Sequence, residues 1–156
     1  MKIKWKKLLL CLAIPLAVGG VAALLSGSGM QQYGNLRQPP FSPPGWLFPV
    51  VWTILYLLMG YASYRVLTSG ADADQIHKAL RLYAVQLSFN FLWPLIFFGL
   101  KMYLLAFLVI LALWALIFFT VNAFSDIDEW AGNLLLPYIL WVTFAAYLNV
   151  GVYLLN

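Results

Sequence analysis

The residues of this chain that could carry chemistry are neutral: indoles, phenols and carboxamides, placed at helical spacing inside long apolar stretches. Gln86, Asn90, Trp93 and Phe97 recur at i, i+4, i+7 and i+11, so they share one helix face. Trp52 and Tyr56 are four apart, and Gly60 and Ser63 continue their stripe. Tyr138, Trp141, Ala145, Leu148 and Asn149 make a third. Aromatic faces stack on flat apolar molecules, and a few carboxamides fix orientation. No Asp, Glu, Lys, Arg or His lies well inside an apolar stretch, which disfavours an ion-coupled carrier and general acid–base catalysis alike.

The elements that must position these side chains follow from hydropathy. The chain of 156 residues is 64% hydrophobic, 17% aromatic and 9% charged, against about 25% charged residues in an ordinary soluble domain. Five windows reach the roughly 20 apolar residues that cross a bilayer, near 8–25, 46–66, 80–98, 103–121 and 134–154. They lack the alternating pattern of barrel strands, and in hydrocarbon the backbone must satisfy its own hydrogen bonds. The expected fold is an all-α integral membrane bundle of five helices, one domain over 1–156, with a long Pro-rich loop after the first helix.

Met1 to Lys7 is basic and precedes an apolar run, as in a signal peptide. The run exceeds the usual h-region and no clean small-x-small site follows, so it reads as the first span. Lys2, Lys4, Lys6 and Lys7, with Arg65, Lys78 and Arg81, place the amino terminus in the cytoplasm, against Arg37 and Lys101 on the other side. The loop with Asp126, Asp128 and Glu129 is topologically silent. The expected location is the cell membrane, multi-pass.

The net charge of +4 comes largely from the amino-terminal lysines, which topology and anionic lipid explain; nucleic acid is not an expected partner. One cysteine, Cys11, forms no internal disulfide, and His77, read in a loop with Asp72 and Asp74, lacks enough companions for a metal site. No nucleotide loop, nucleophile triad or zinc motif is present, so no metal and no required cofactor are expected.

Each singled-out residue has a structural role to compete with. Asn90 at mid-membrane depth serves equally well as interhelical glue or as a ligand contact. Trp5, Trp46 and Trp130 fit the interfacial belt, whereas Trp52 and Trp141 lie deeper and read as inward-facing or as core. The fourth span, with Trp114, is expected to face lipid or a partner subunit. Pro15, Pro49, Pro94 and Pro137 are expected to free carbonyls or bend helices. Gly19, Gly20 and Ala23 permit close approach of a neighbour. The segment Ser26 to Gly45 reads as a lid or a rigid connector, stiffened by Pro39, Pro40, Pro43 and Pro44.

These features together resemble the translocator protein family, also called the tryptophan-rich sensory or TspO/MBR proteins. The resemblance covers almost the whole chain. It rests on Tyr33 to Leu36 with Pro39 and Pro43-Pro44, Pro49 to Tyr56 with Met59-Gly60, and Gln86-x-x-x-Asn90 with Trp93-Pro94 and Phe97-Phe98-Gly99. Its last block is Leu136-Pro137-Tyr138, Trp141, Phe144-Ala145 and Leu148-Asn149.

The resemblance implies a homodimer with a pocket under the first long loop that accepts porphyrins and benzodiazepine-receptor ligands. By position, Tyr33, Pro43 and Pro44 would cover it, with Trp52 and Tyr56, Asn90, Trp93 and Phe97, and Trp141, Phe144, Ala145 and Leu148 as its walls. It further implies light-dependent oxidative breakdown of protoporphyrin IX, the tetrapyrrole being ligand or substrate, with Trp52 and Trp141 as the reactive pair. The alternatives are ion-independent translocation of porphyrin or another lipophilic molecule, and a stress-sensing or scaffold role. Metal-free porphyrin suits the chain better than haem, since only Met59 approaches an axial-ligand role. The chain departs from the family pattern at Gln32 and Gln38, and Tyr153 lacks the following basic residue of the sterol motif. Leu57, Tyr61 and Arg65 meet only its loose form, and cholesterol recognition is not expected.

Overall fold

Each apolar run folds as a helix, which satisfies the backbone where lipid offers no partner. In the computed structural model, which describes residues 2–27 and 32–156, α1 spans Trp5–Leu25, α2 Leu47–Leu67, α3 Ala73–Pro94, α4 Tyr103–Ile127, α5 Glu129–Leu134 and α6 Leu136–Leu155. A π-helical turn, Leu95–Gly99, prolongs α3, and a 3₁₀ turn, Tyr33–Asn35, sits in the first long loop. With α5 and α6 running on as one unit, five helical units among the described residues are long and apolar enough to cross a membrane. Met1 and residues 28–31 lie outside the described residues, so Ser28 and part of the Ser26 to Gly45 loop do too.

Two boundaries differ most from the hydropathy windows. The third helix begins at Ala73, so His77 and Lys78 are helical, and Lys78 pairs with Asp74 one turn away at 3.1 Å. The fourth reaches Ile127, which makes Asp126 helical as well. A window ends where apolarity ends, whereas a helix continues until its backbone is capped. Asp128 is that cap: its carboxylate accepts the Trp130 N–H at 3.0 Å and starts α5. It also accepts Arg65 Nε at 2.8 Å, tying α2 to the α4–α5 joint. Both side chains keep some exposure, so this ion pair contributes at most about 1 kcal/mol.

The prolines divide into two kinds. Pro49 and Pro137 stand in the first turns of α2 and α6, where a missing N–H costs no intrahelical bond. Pro94 ends the regular part of α3, and the backbone widens into the π turn, closed by Leu100 N–H to the Leu95 carbonyl at 2.9 Å. Pro15 is buried inside α1.

Small residues set the α1–α2 crossing. A Cβ at Gly60 would lie 2.7 Å from the Cys11 carbonyl oxygen and 2.8 Å from Leu12 Cα, so α2 rests directly on the α1 backbone there. At Gly19 a Cβ would overlap the Tyr56 ring, which occupies its place. α3 packs along α4, and α4 along α6. α6 meets α2 and α3 through long side chains, Tyr138 above all, and this aromatic layer is the centre of the bundle.

Candidate functional site

The polar side chains of the inner stripes are joined by a directed chain of hydrogen bonds. Tyr56 Oη donates to Asn90 Oδ1 at 2.8 Å, Asn90 Nδ2 donates to Tyr138 Oη at 2.7 Å, and Tyr138 Oη donates to Gln86 Oε1 at 2.7 Å. α2, α3 and α6 are thereby stitched together at one level. Asn90, read from sequence as glue or ligand contact, has both amide atoms engaged in the glue. A second link runs from Trp93 Nε1 to Asn149 Oδ1 at 2.9 Å, and from Asn149 Nδ2 to the Tyr103 carbonyl at 2.9 Å. Each bond satisfies a group that would otherwise be stranded in a medium without water.

Directly beside this chain is a cavity of about 240 Å³. Its α1 wall is Leu16, Gly19, Gly20, Ala22 and Ala23; α2 supplies Phe48, Pro49, Trp52, Thr53 and Tyr56; α3 and the π turn supply Asn90, Trp93, Pro94 and Phe98. Helix periodicity alone gathers the α2 set, because positions 49, 52, 53 and 56 fall on one face. The Trp52 indole stacks on Tyr56 with centroids 5.6 Å apart and meets Tyr138 edge-on at 6.2 Å, so aromatic faces form one side of the cavity. A roomier groove between α1 and α3, about 440 Å³, is lined by Ile14, Val18, Leu87, Phe91 and their neighbours. It is wide open and has Ser88 as its one polar lining residue, so it offers no means of orienting a ligand.

The sequence-predicted site residues of the helices separate into three groups. Trp52, Tyr56, Asn90 and Trp93 line the cavity. Phe97, Ala145 and Leu148 instead pack with Tyr33 around a residual space of about 10 Å³. Trp141 and Phe144 line neither; Trp141 packs edge-on against Phe48 at 5.9 Å and tilts against Phe144 at 5.6 Å. The Trp141 Nε1 atom is nevertheless buried and without a hydrogen-bond partner. Met59 is fully buried and lines no cavity.

The first long loop docks on the bundle through Tyr33, which is 3% exposed and packs on Phe48, Phe97 and Phe98. Its hydroxyl is buried without a partner, and Ser42 Oγ donates its hydrogen to the Pro39 carbonyl. Burial pushes the Tyr33 phenol above its ordinary value of 10.0, and nearby Ser42 offsets part of that rise. Further along, Asn156 clasps the Arg37 backbone, accepting its N–H at 3.2 Å and donating to its carbonyl at 2.8 Å. Tyr147 Oη donates to the Pro40 carbonyl, and Pro39 sits where a side chain at Gly151 would go. Pro43 is half-buried and Pro44 exposed, and neither lines the cavity.

Reasoning from sequence missed the α1 wall and Phe48. Gly19, Gly20 and Ala23 were visible as small residues, but their spacing signals close approach and is silent on which neighbour comes close. Phe48 carries no signal beyond its place at a helix start.

A helical membrane protein with an aromatic-walled cavity, open past Gly20, Ala23, Pro49 and Thr53, and a docked loop is the class defined so far. Comparison with known proteins places it further: the sequence profile of the TspO/MBR family matches residues 11–155, and the chain belongs to that family. It is 40% identical to the tryptophan-rich sensory protein of Cereibacter sphaeroides over 100% of this chain and 95% of that one. It is 39% identical to the tryptophan-rich protein TspO of Chlorobaculum tepidum over 96% and 95%. The translocator protein of Ovis aries is 36% identical over 80% of this chain and 75% of its own length.

Proposed function

We propose that this protein binds a tetrapyrrole, protoporphyrin IX being the type, inside the membrane and promotes its light-dependent oxidative breakdown, with Trp52 and Trp141 as the electron-exchanging residues. The observation that carries this reading is the Trp52 indole, stacked on Tyr56 and presented to an apolar cavity whose lining includes one carboxamide. Stacking on a flat ring is worth about 0.5–1.5 kcal/mol per aromatic pair beyond burial. Light makes the bound dye an oxidant that takes one electron from an indole in contact; dioxygen, the co-reactant, then accepts electrons from the dye and supplies the oxygen of the opened ring, the indole regains its electron, and the protein contributes position and exclusion of bulk water. No carboxylate, metal or further cofactor is needed for that. The unpartnered Trp141 N–H marks a second polar point on the α6 side. Smaller benzodiazepine-receptor-type ligands would use the same cavity.

In this reading the amino terminus is cytoplasmic, so the clasped loop and the exposed Arg37 side chain lie at the outer surface, where they meet the porphyrin carboxylates. The protein acts in the cell membrane, as a homodimer. The name translocator protein, borne by the Ovis aries relative, favours a second reading, an ion-independent translocator of the same ligand.

Mixing purified protein with protoporphyrin in dark and in light, and following absorbance and fluorescence, separates the readings. Breakdown should require light and fall about tenfold or more on Trp52→Phe or Trp141→Phe, with binding retained. Binding without breakdown, accompanied by flux into sealed vesicles, would favour translocation. Absence of porphyrin binding by folded protein would leave a sensory or scaffold role.

A further inference from the structure

Phe48, Trp93 and Phe98 line both the 240 Å³ cavity beside Trp52 and the small space under Tyr33, so they form the wall between them. That cavity is smaller than the roughly 300–1,000 Å³ typical of sites for drug-sized ligands. A flat macrocycle that touches both Trp52 and Trp141 therefore requires the wall to open.

Two of its three members are held in place. The Trp93 indole donates to Asn149 at 2.9 Å and stacks on Phe97 at 5.1 Å. Phe98 is fixed in the π turn and wedged edge-on against Phe97 at 4.8 Å and Trp93 at 5.8 Å. Phe48 is held least. It is the second residue of α2, its N–H reaches the Gly45 carbonyl only at 3.4 Å, and Gly45 and Trp46 before it are exposed. Its ring is buried and makes two aromatic contacts, both edge-on, to Tyr33 at 5.3 Å and Trp141 at 5.9 Å, with no hydrogen bond to fix it.

We infer that Phe48 determines which ligands this cavity admits: seated between Tyr33 and Trp141 it restricts the cavity to small flat aromatics, and displaced it joins the cavity to Trp141 and admits a macrocycle. The inference rests on the cavity being the ligand site of the proposed function. Tyr33 extends it to the loop, because the ring that retains Phe48 belongs to the segment clasped by Asn156 and Tyr147. Release of that clasp frees Phe48.

The test uses the full chain in lipid nanodiscs and three fluorescence titrations, with two-ring quinoline, four-ring pyrene and protoporphyrin. Phe48→Ala should strengthen pyrene and protoporphyrin binding about tenfold and change quinoline less than about twofold, and Phe48→Trp should weaken the two large ligands by a similar factor. Phe48→Leu, which keeps the helix start packed, should shift them in the direction of Phe48→Ala by a smaller amount. Retained quinoline binding shows that each variant is folded. Three ligands moving in parallel, or pyrene unmoved in every variant, would overturn the role of Phe48. Pyrene following the expected order while protoporphyrin binds to none of the proteins would uphold Phe48 and remove the tetrapyrrole reading. Protoporphyrin bound and broken down equally by all of them would do the reverse.

Discussion

The two indoles placed on inward-facing stripes live in opposite surroundings. Next to Trp52 the neighbouring helix presents Gly19, Gly20 and Ala23, and a cavity results; next to Trp141 the space is filled by Phe48 and Phe144, and none does. The indoles are alike, and each lies about a turn from a tyrosine that joins the central hydrogen-bond chain, Tyr56 or Tyr138. What differs is the residue opposite. In a bundle where lipid is as apolar as the core, a binding space is located by small residues as much as by aromatic ones.

The sharpest way to break this comparison is to cut the chain that holds both sides at one level. Asn90→Leu leaves the buried Tyr56 hydroxyl without a partner, at about 1–3 kcal/mol, and takes from Tyr138 the N–H it accepts while its own bond to Gln86 remains. Thermal unfolding in detergent should show a large drop, and melting close to wild type would mean that the chain contributes little. Trp141→Phe, which removes an N–H that has no partner, should fall well short of that loss.

The small residues of the Trp52 side give the next effect. Gly60→Ala puts a methyl against the α1 backbone and should cost about 1–3 kcal/mol by overpacking. Gly20→Ala meets nothing within 4 Å and should stay within about 0.5 kcal/mol of wild type in the same melting assay. Gly20→Leu sharpens the contrast further, because it grows into the cavity. Ligand affinity should fall about tenfold while the protein remains folded, as read by titration and by melting. Unchanged affinity would move the ligand elsewhere.

The smallest effect belongs to the loop. Because burial raises the Tyr33 phenol above 10.0, docking of its neutral form stabilises the fold in full below the unfolded value and loses that contribution as pH rises through the folded one. Stability should decline in the alkaline range above pH 10, and Tyr33→Phe, which removes an unpartnered hydroxyl, should flatten that decline at little cost near neutrality. A Tyr33→Phe protein with the wild-type alkaline profile would assign the decline to other groups.

Much of this was legible in the sequence because membrane helices announce themselves. The five spans followed from hydropathy, and the stripes through Trp52, Gln86 and Tyr138 followed from helical spacing. Their convergence through Tyr56, Asn90 and Tyr138 is what those stripes implied, since amides at that depth must find partners. The helix ends were less legible, because the Asp74–Lys78 pair and the Asp128 cap mark them, and hydropathy is blind to pairing and capping. The division of the candidate site was not legible at all. Nothing in the spacing of Trp52 and Trp141 says that Phe48, from the first turn of a helix, stands against one and lines the cavity of the other. Of the three residues expected as cover, Tyr33 packs on the bundle, whereas Pro43 and Pro44 do not line the cavity; Pro39, near them in sequence, fills the hollow at Gly151.

The central claim is that a flat macrocycle binds where Trp52 faces the cavity and reaches Trp141 once Phe48 has moved. A structure of the full chain with bound protoporphyrin tests it most directly. The expected result is a ring stacked on the Trp52 indole, Phe48 turned out of its seat against Tyr33, and Trp141 in contact with the ligand. A ring lying instead in the open groove beside Ile14, Val18 and Phe91, with Trp52 uncovered and Phe48 in place, would contradict it.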